Sequence, residues 1–200
     1  MSGQTWVLAG HNPHKQAAFR ALASRWGMTV LPQADFARDS VIEDGQTFVE
    51  NALKKARLAS EVSGLPALAD DTGLVVPALQ GAPGLYTARF AECFNGQESN
   101  DENNRQALLS QMSGLPFGQR DAYLTTTLVW IASPSDPEPK VVSARWQGEI
   151  LMQCRTPEGV GYDPIFWLPQ HLKTPSEMAL TEKHRLDQRA RAFEQLMTLF

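Results

Sequence analysis

Two hundred residues, 42% apolar and 20% charged, make a chain long enough to bury a substantial core and too apolar to stay disordered. A formal charge of -4 supplies no basic field for counterion release, which argues against a nucleic-acid polymer as partner and leaves single nucleotides held by a few local cations. Cys93 and Cys154 stand apart from each other and from any His pair at metal-ligand spacing, so reduced thiols and a cytoplasmic compartment are expected, with neither a zinc site nor a disulfide framework.

The opening residues lack a basic stretch leading into an apolar run, and no apolar segment approaches the roughly 18 residues of a membrane span, so neither export nor a membrane partner is expected. Thr5 to Ala9 predicts a strand that gives way to the loop Gly10-His11-Asn12-Pro13-His14-Lys15. Phe19, Leu22, Ala23 and Trp26 then recur at helical spacing, and Met28 to Leu31 predicts a second strand. After an acidic loop from Asp35 to Gly45, Thr47-Phe48-Val49-Glu50 matches a capping box and opens a helix of about four turns to Ser63. Ala67 to Ala69 predicts a short buried strand with Asp70 and Asp71 at its end, and Leu74 to Val76 continues extended. Gln80 to Asn100 reads as loop, Asn103 to Met112 as helix, and Asp121 to Ala132 and Lys140 to Gly148 as the clearest long strands. A Gly/Pro-rich loop, Thr156 to Pro164, precedes the apolar run Ile165 to Leu168, and a basic segment from Lys173 leads into a C-terminal helix. The alternation predicts one α/β domain over residues 1–200 with a mixed sheet.

Five sets of residues could carry chemistry. At a strand-to-helix turn, free N–H groups and the helix dipole favour an anion, and Lys15 adds a mobile charge, although such a turn is also ordinary punctuation. Asp70 and Asp71, with Glu43 and Asp44 on the earlier loop, offer the carboxylate oxygens a hard cation such as Mg²⁺ wants, though adjacent aspartates also serve turns and caps. Lys54, Lys55 and Arg57 would by themselves be a solvated helix face. Gly159-Val160-Gly161-Tyr162-Asp163-Pro164 has glycines for close approach, an aromatic ring and a carboxylate, the parts either of a base pocket or of a tight turn. Glu182-Lys183-His184-Arg185 and Gln188-Arg189 bring donors to the last helix.

Taken in order, these pieces resemble the inosine triphosphate pyrophosphatase family over essentially the whole chain. The matching blocks are Thr47-Phe48-Val49-Glu50-Asn51-Ala52 with Lys55-Ala56, Ala69-Asp70-Asp71-Thr72-Gly73-Leu74, Gly81-Ala82-Pro83-Gly84-Leu85-Tyr86-Thr87-Ala88-Arg89 and Gly161-Tyr162-Asp163-Pro164-Ile165-Phe166. The resemblance implies a homodimeric α/β protein with an elongated mixed sheet flanked by helices, two lobes and a nucleotide cleft between them. It implies Mg²⁺-dependent cleavage of ITP, dITP or XTP to a nucleoside monophosphate and pyrophosphate. By position it makes Asp71 the general base, puts Glu43, Asp70 and Asp71 around the metal, and assigns the phosphates to Asn12, Lys15, Lys55 and Thr72. Val160, Gly161, Tyr162, Asp163 and Lys183 fall where the family holds base and sugar. Three positions depart from the pattern: Gly10 stands where the family has Thr or Ser, and Asp187-Gln188-Arg189 aligns with its Ser-His-Arg, leaving Gln188 and Arg189 to meet the base edge. Altered base specificity, or a weakened nucleotide-binding relative, are the competing expectations.

Overall fold

The computed structural model describes residues 4–156 and 158–200. The first strand, β1 (Thr5–Leu8), pairs in parallel with β2 (Thr29–Pro32), register Thr5 to Thr29, and with β3 (Ala67–Val75), register Val7 to Ala67. Helix α1 (Pro13–Ser24) links β1 to β2, and α2 (Phe48–Ser63) links β2 to β3, the right sequence of elements for parallel crossovers. Asn12 caps α1, with Pro13 at its first position, where a missing N–H costs nothing. The capping box of α2 is complete, and Gly64 ends that helix in the left-handed conformation at φ 68. After α3 (Phe90–Asn95) and α4 (Asp101–Gln111) come the long strands β4 (Asp121–Ile131) and β5 (Lys140–Ile150). The two-residue β6 (Phe166–Trp167) is antiparallel to β5, and α5 (Leu180–Leu186) and α6 (Gln188–Met197) follow. Sheet order is β2-β1-β3-β4-β5-β6, so the expected mixed α/β sheet is present.

Two compact units divide the chain. One comprises the chain up to Asp71, Thr126–Ala144 and Gln188–Phe200; the other comprises Thr72–Thr125 and Arg145–Asp187. In the first unit strand alternation sorts side chains to two cores. Trp6, Leu8 and Leu68 join Phe19 and Leu22 of α1 and Phe193 and Leu196 of α6. Val7, Ala9, Ala67 and Ala69 join Ala52, Ala56 and Ala59 of α2, small side chains that let helix and sheet approach closely. Each fully buried large side chain, such as Phe19 or Phe193, contributes roughly 1.5–3 kcal/mol. The second unit has its own core around Leu74, Phe90, Leu108, Trp146, Ile165 and Phe166.

Three expectations need correction. The short strand expected to end at Asp70 and Asp71 runs unbroken from Ala67 to Val75 and takes in the extended segment expected from Leu74, because lysine partners offset the buried charge of the two aspartates. Gln80 to Asn100 is not all loop: a 3₁₀ segment, Gly84–Arg89, leads into α3, whose Phe90 and Ala91 are buried. The C-terminal helix is two helices, interrupted where Asp187 turns extended at ψ 163.

Candidate active site

Because successive residues of β3 point to opposite faces, its adjacent aspartates have different neighbours. Asp70 shares the face of Leu68, toward α1 and α6, and its Oδ2 lies 2.7 Å from Lys15 Nζ. Burial alone would raise its pKa, but the charges of Lys15, Arg189 and Lys55 outweigh burial and hold it below the ordinary carboxylate value. Asp71 shares the face of Ala69, toward α2, and its Oδ1 lies 2.8 Å from Lys55 Nζ. Here burial dominates and the nearby Glu43 adds to it, so the Asp71 carboxyl is raised despite Lys55. Lys55 is itself raised: burial favours its neutral form, but Asp71, Asp70 and Glu43 hold the proton on.

The acidic loop reaches this cluster through hydrogen bonds made by α2. Asn51, almost fully buried, accepts the Gly45 N–H at 2.8 Å, and Glu50 accepts those of Gln46 and Thr47 at 2.6 and 2.9 Å. Glu43 Oε2 then stands 3.4 Å from Lys55 Nζ, while Asp44 pairs with Lys54. The same loop is tied to the first one by buried Gln33, which accepts the Gly10 N–H at 3.2 Å and donates to the Asp39 carbonyl at 2.7 Å. No linear motif announces Gln33; its partners are 23 and 6 residues away.

The three carboxylates expected around a metal, Asp71, Asp70 and Glu43, all act on the charge of Lys55. Among the described residues, no three His, Cys, Asp or Glu side chains converge as a metal cage. The strand pleat turns Asp70 to the face opposite Asp71. Glu43 and Asp71 do bracket one positive charge, the Lys55 ammonium. Two hard carboxylates around a cation position suit a divalent ion that completes its shell with phosphate oxygens and water.

The anion site expected at the start of α1 is altered. The N–H groups of His14 and Lys15 donate to Asn12 Oδ1 at 3.0 and 3.1 Å, and that of Gln16 to the Asn12 carbonyl at 3.0 Å. Asn12 thus caps its own helix, leaving its side-chain NH₂ and the Lys15 ammonium as groups for an anion. Gly10 takes φ +93, a conformation that L side chains rarely adopt.

In the second unit, Thr72 continues β3 directly after Asp71. Tyr162 is buried and donates its hydroxyl to the Thr87 carbonyl at 2.9 Å; burial, with the Asp101 charge, pushes the phenol strongly up and keeps it a donor. Thr87 donates to Gly84 O at 2.6 Å and accepts from Leu74 N at 2.9 Å, which gives the block from Gly81 to Arg89 a structural purpose. Asp163 pairs with Lys183 of α5, and Val160 is exposed. Gly161 is held by α4 from both sides: its N–H donates to Asp101 Oδ2 at 2.7 Å, and its carbonyl accepts from Arg105 Nη1 at 2.7 Å.

Gln188 and Arg189 begin α6 in the first unit. The Gln188 side chain, expected at a base edge, is only 2% exposed, and its Oε1 accepts no hydrogen bond among the described residues. The Arg189 charge acts on Asp70.

Comparison with known proteins gives a consistent result. The sequence model of the Ham1 family matches residues 6–199. The chain is similar to the dITP/XTP pyrophosphatase of Photobacterium profundum, with 42% identity over 95% of this chain and 94% of that protein. It is similar to that of Haemophilus ducreyi, with 45% identity over 93% of each. Among solved structures, a Ham1 protein from Coxiella burnetii superposes with TM-score 0.88 at 37% identity, covering 98% of both chains.

Proposed function

Since the chain belongs to the Ham1 family, we propose that it hydrolyses noncanonical purine nucleoside triphosphates, ITP, dITP and XTP, to the nucleoside monophosphate and pyrophosphate. The observation that carries this reading is the pair of buried aspartates, each against its own lysine: carboxylates for a cation and for water, ammonium groups for phosphates. Curated relatives named dITP/XTP pyrophosphatase support it over nearly their whole length.

In this reading Asp71 is the general base. It takes a proton from a water whose oxygen attacks the α-phosphorus, a step that gains from close positioning of the two groups. The bond from the α-phosphorus to the bridging oxygen breaks, and pyrophosphate leaves with the electron pair. Lys15 and Lys55 swing from their carboxylates to the phosphate oxygens, with Asn12 and Thr72 as further donors. Before the triphosphate arrives, Asp70 keeps Lys15 oriented. Glu43 and Asp71 would hold Mg²⁺, which when bound neutralises phosphate charge. Val160, Gly161, Tyr162, Asp163 and Lys183 receive base and sugar, and Gln188 and Arg189 complete the base edge.

The direct test incubates purified protein with Mg²⁺ and, separately, ITP, dITP, XTP, GTP and ATP, measuring pyrophosphate and monophosphate. Selective pyrophosphate release from ITP, dITP and XTP is expected; orthophosphate alone, or turnover mainly of ATP and GTP, would overturn the assignment. A cytoplasmic homodimer completes the proposal, checked by cell fractionation and sedimentation.

A further inference from the structure

We infer that Asp101 and Arg105 are positioning residues for purine selectivity, holding the N–H and the carbonyl of Gly161 from one face of α4. The inference rests on the reading that the loop from Val160 to Asp163 meets the base.

Four residues apart on an α-helix, the two side chains lie on the same face. Asp101 Oδ2 accepts the Gly161 N–H at 2.7 Å. Arg105 Nη1 donates to the Gly161 carbonyl at 2.7 Å and reaches the Gly159 carbonyl at 3.5 Å. Arg105 is in turn fixed by Glu102, whose Oε2 lies 2.7 Å from Nη2. Arg105 is 5% exposed, so its Nη1 is committed to this loop rather than to solvent.

The loop needs such a hold. Gly159 and Gly161 take φ +147 and +56, conformations only glycine adopts readily, and glycine loses the most backbone freedom on ordering. A Cβ at Gly159 would also meet Pro164 Cγ at 2.8 Å. Asp101 and Arg105 remove that freedom before substrate arrives, which lowers the ordering cost of binding. Tyr162 is tethered separately through Thr87, and Asp163 through Lys183, so loss of the clamp loosens the glycines while the neighbouring anchors remain.

The experiment compares Asp101→Ala, Asp101→Asn, Arg105→Gln and Arg105→Lys in the full chain, with kcat and KM for ITP and ATP and amide exchange at Gly161. Asp101→Ala and Arg105→Gln should raise KM for ITP about tenfold, as loss of a charge-assisted hydrogen bond would, and lower the ITP-over-ATP ratio of kcat/KM. kcat should stay within about twofold, because the reacting groups are untouched. Asp101→Asn keeps an acceptor oxygen and should restore KM and slow Gly161 exchange, whereas a purely structural defect would not follow that order. Arg105→Lys should fall between, holding the carbonyl with a single point charge. Should Arg105→Gln fail to fold, the Asp101 pair decides alone. Unchanged KM and ITP-over-ATP ratio in Asp101→Ala, or a loss confined to kcat, would overturn the inference while leaving an active wild type and its assignment standing. A wild type that releases no pyrophosphate from ITP would sink the assignment itself, and this inference with it.

Discussion

Asp70 and Asp71 are adjacent in sequence and opposite in thermodynamic sign. Asp70 titrates below its ordinary value, so its contribution to stability is full above the unfolded carboxylate pKa and is lost as pH falls through the depressed one. Asp70→Asn should therefore destabilise the protein by about 3 kcal/mol at pH 7, because Lys15 is left uncompensated, with the gap to wild type closing in acid; urea unfolding at pH 7 and pH 3 checks this. Asp71 titrates above its ordinary value, so the folded state binds its proton more readily and stability declines as pH rises through that window. Asp71→Asn should leave the melting temperature within a few degrees of wild type, yet lower pyrophosphate release from ITP by about 10³-fold, as loss of a general base does.

Glycines set the two loops that lead to the acidic cluster. A Cβ on Gly45 would stand 2.6 Å from Asn51 Oδ1 and 2.8 Å from Glu50 Cβ, so Gly45→Ala must push the acidic loop off α2 and Glu43 away from Lys55. The expected result is a rise of about tenfold in the Mg²⁺ concentration for half-maximal rate, with α2 still folded by circular dichroism. Gly10→Thr, which would restore the family's hydroxyl, meets no neighbour but is strained at φ +93; it should cost about 1–3 kcal/mol and gain nothing in kcat/KM. The capping box over Thr47 and Glu50 was legible because its residues are local in sequence. The division of labour between Asp70 and Asp71 was not, since it depends on Lys15 and Lys55, 55 and 16 residues away in sequence, meeting opposite faces of the strand. Nor were Gln33, Asp101 and Arg105 legible as loop anchors: the contacts that define them close over 23, 60 and 56 residues.

For the whole molecule, the family blocks carried the α/β class and the pyrophosphatase assignment, while long-range packing decided how the helices near Phe90 and Asp187 begin and end. A ligand that binds only the folded state stabilises it by about 2.7 kcal/mol at one hundred times its dissociation constant. Mg²⁺ with a nonhydrolysable ITP analogue should therefore raise the melting temperature by several degrees, and EDTA should abolish that gain; an equal gain with EDTA would remove the metal from the proposal. The passage of β3 through its two acids has one more consequence. A strand alternates with a period of two, so the segment from Ala67 to Gly73 behaves as a phase as much as a motif. Deleting a single residue ahead of Asp70 would keep both aspartates and their order while exchanging their faces, giving the base the counter-ions of its neighbour. What natural variation must preserve along this strand is therefore parity, the even or odd count of residues between the core and the carboxylates, which no substitution table records.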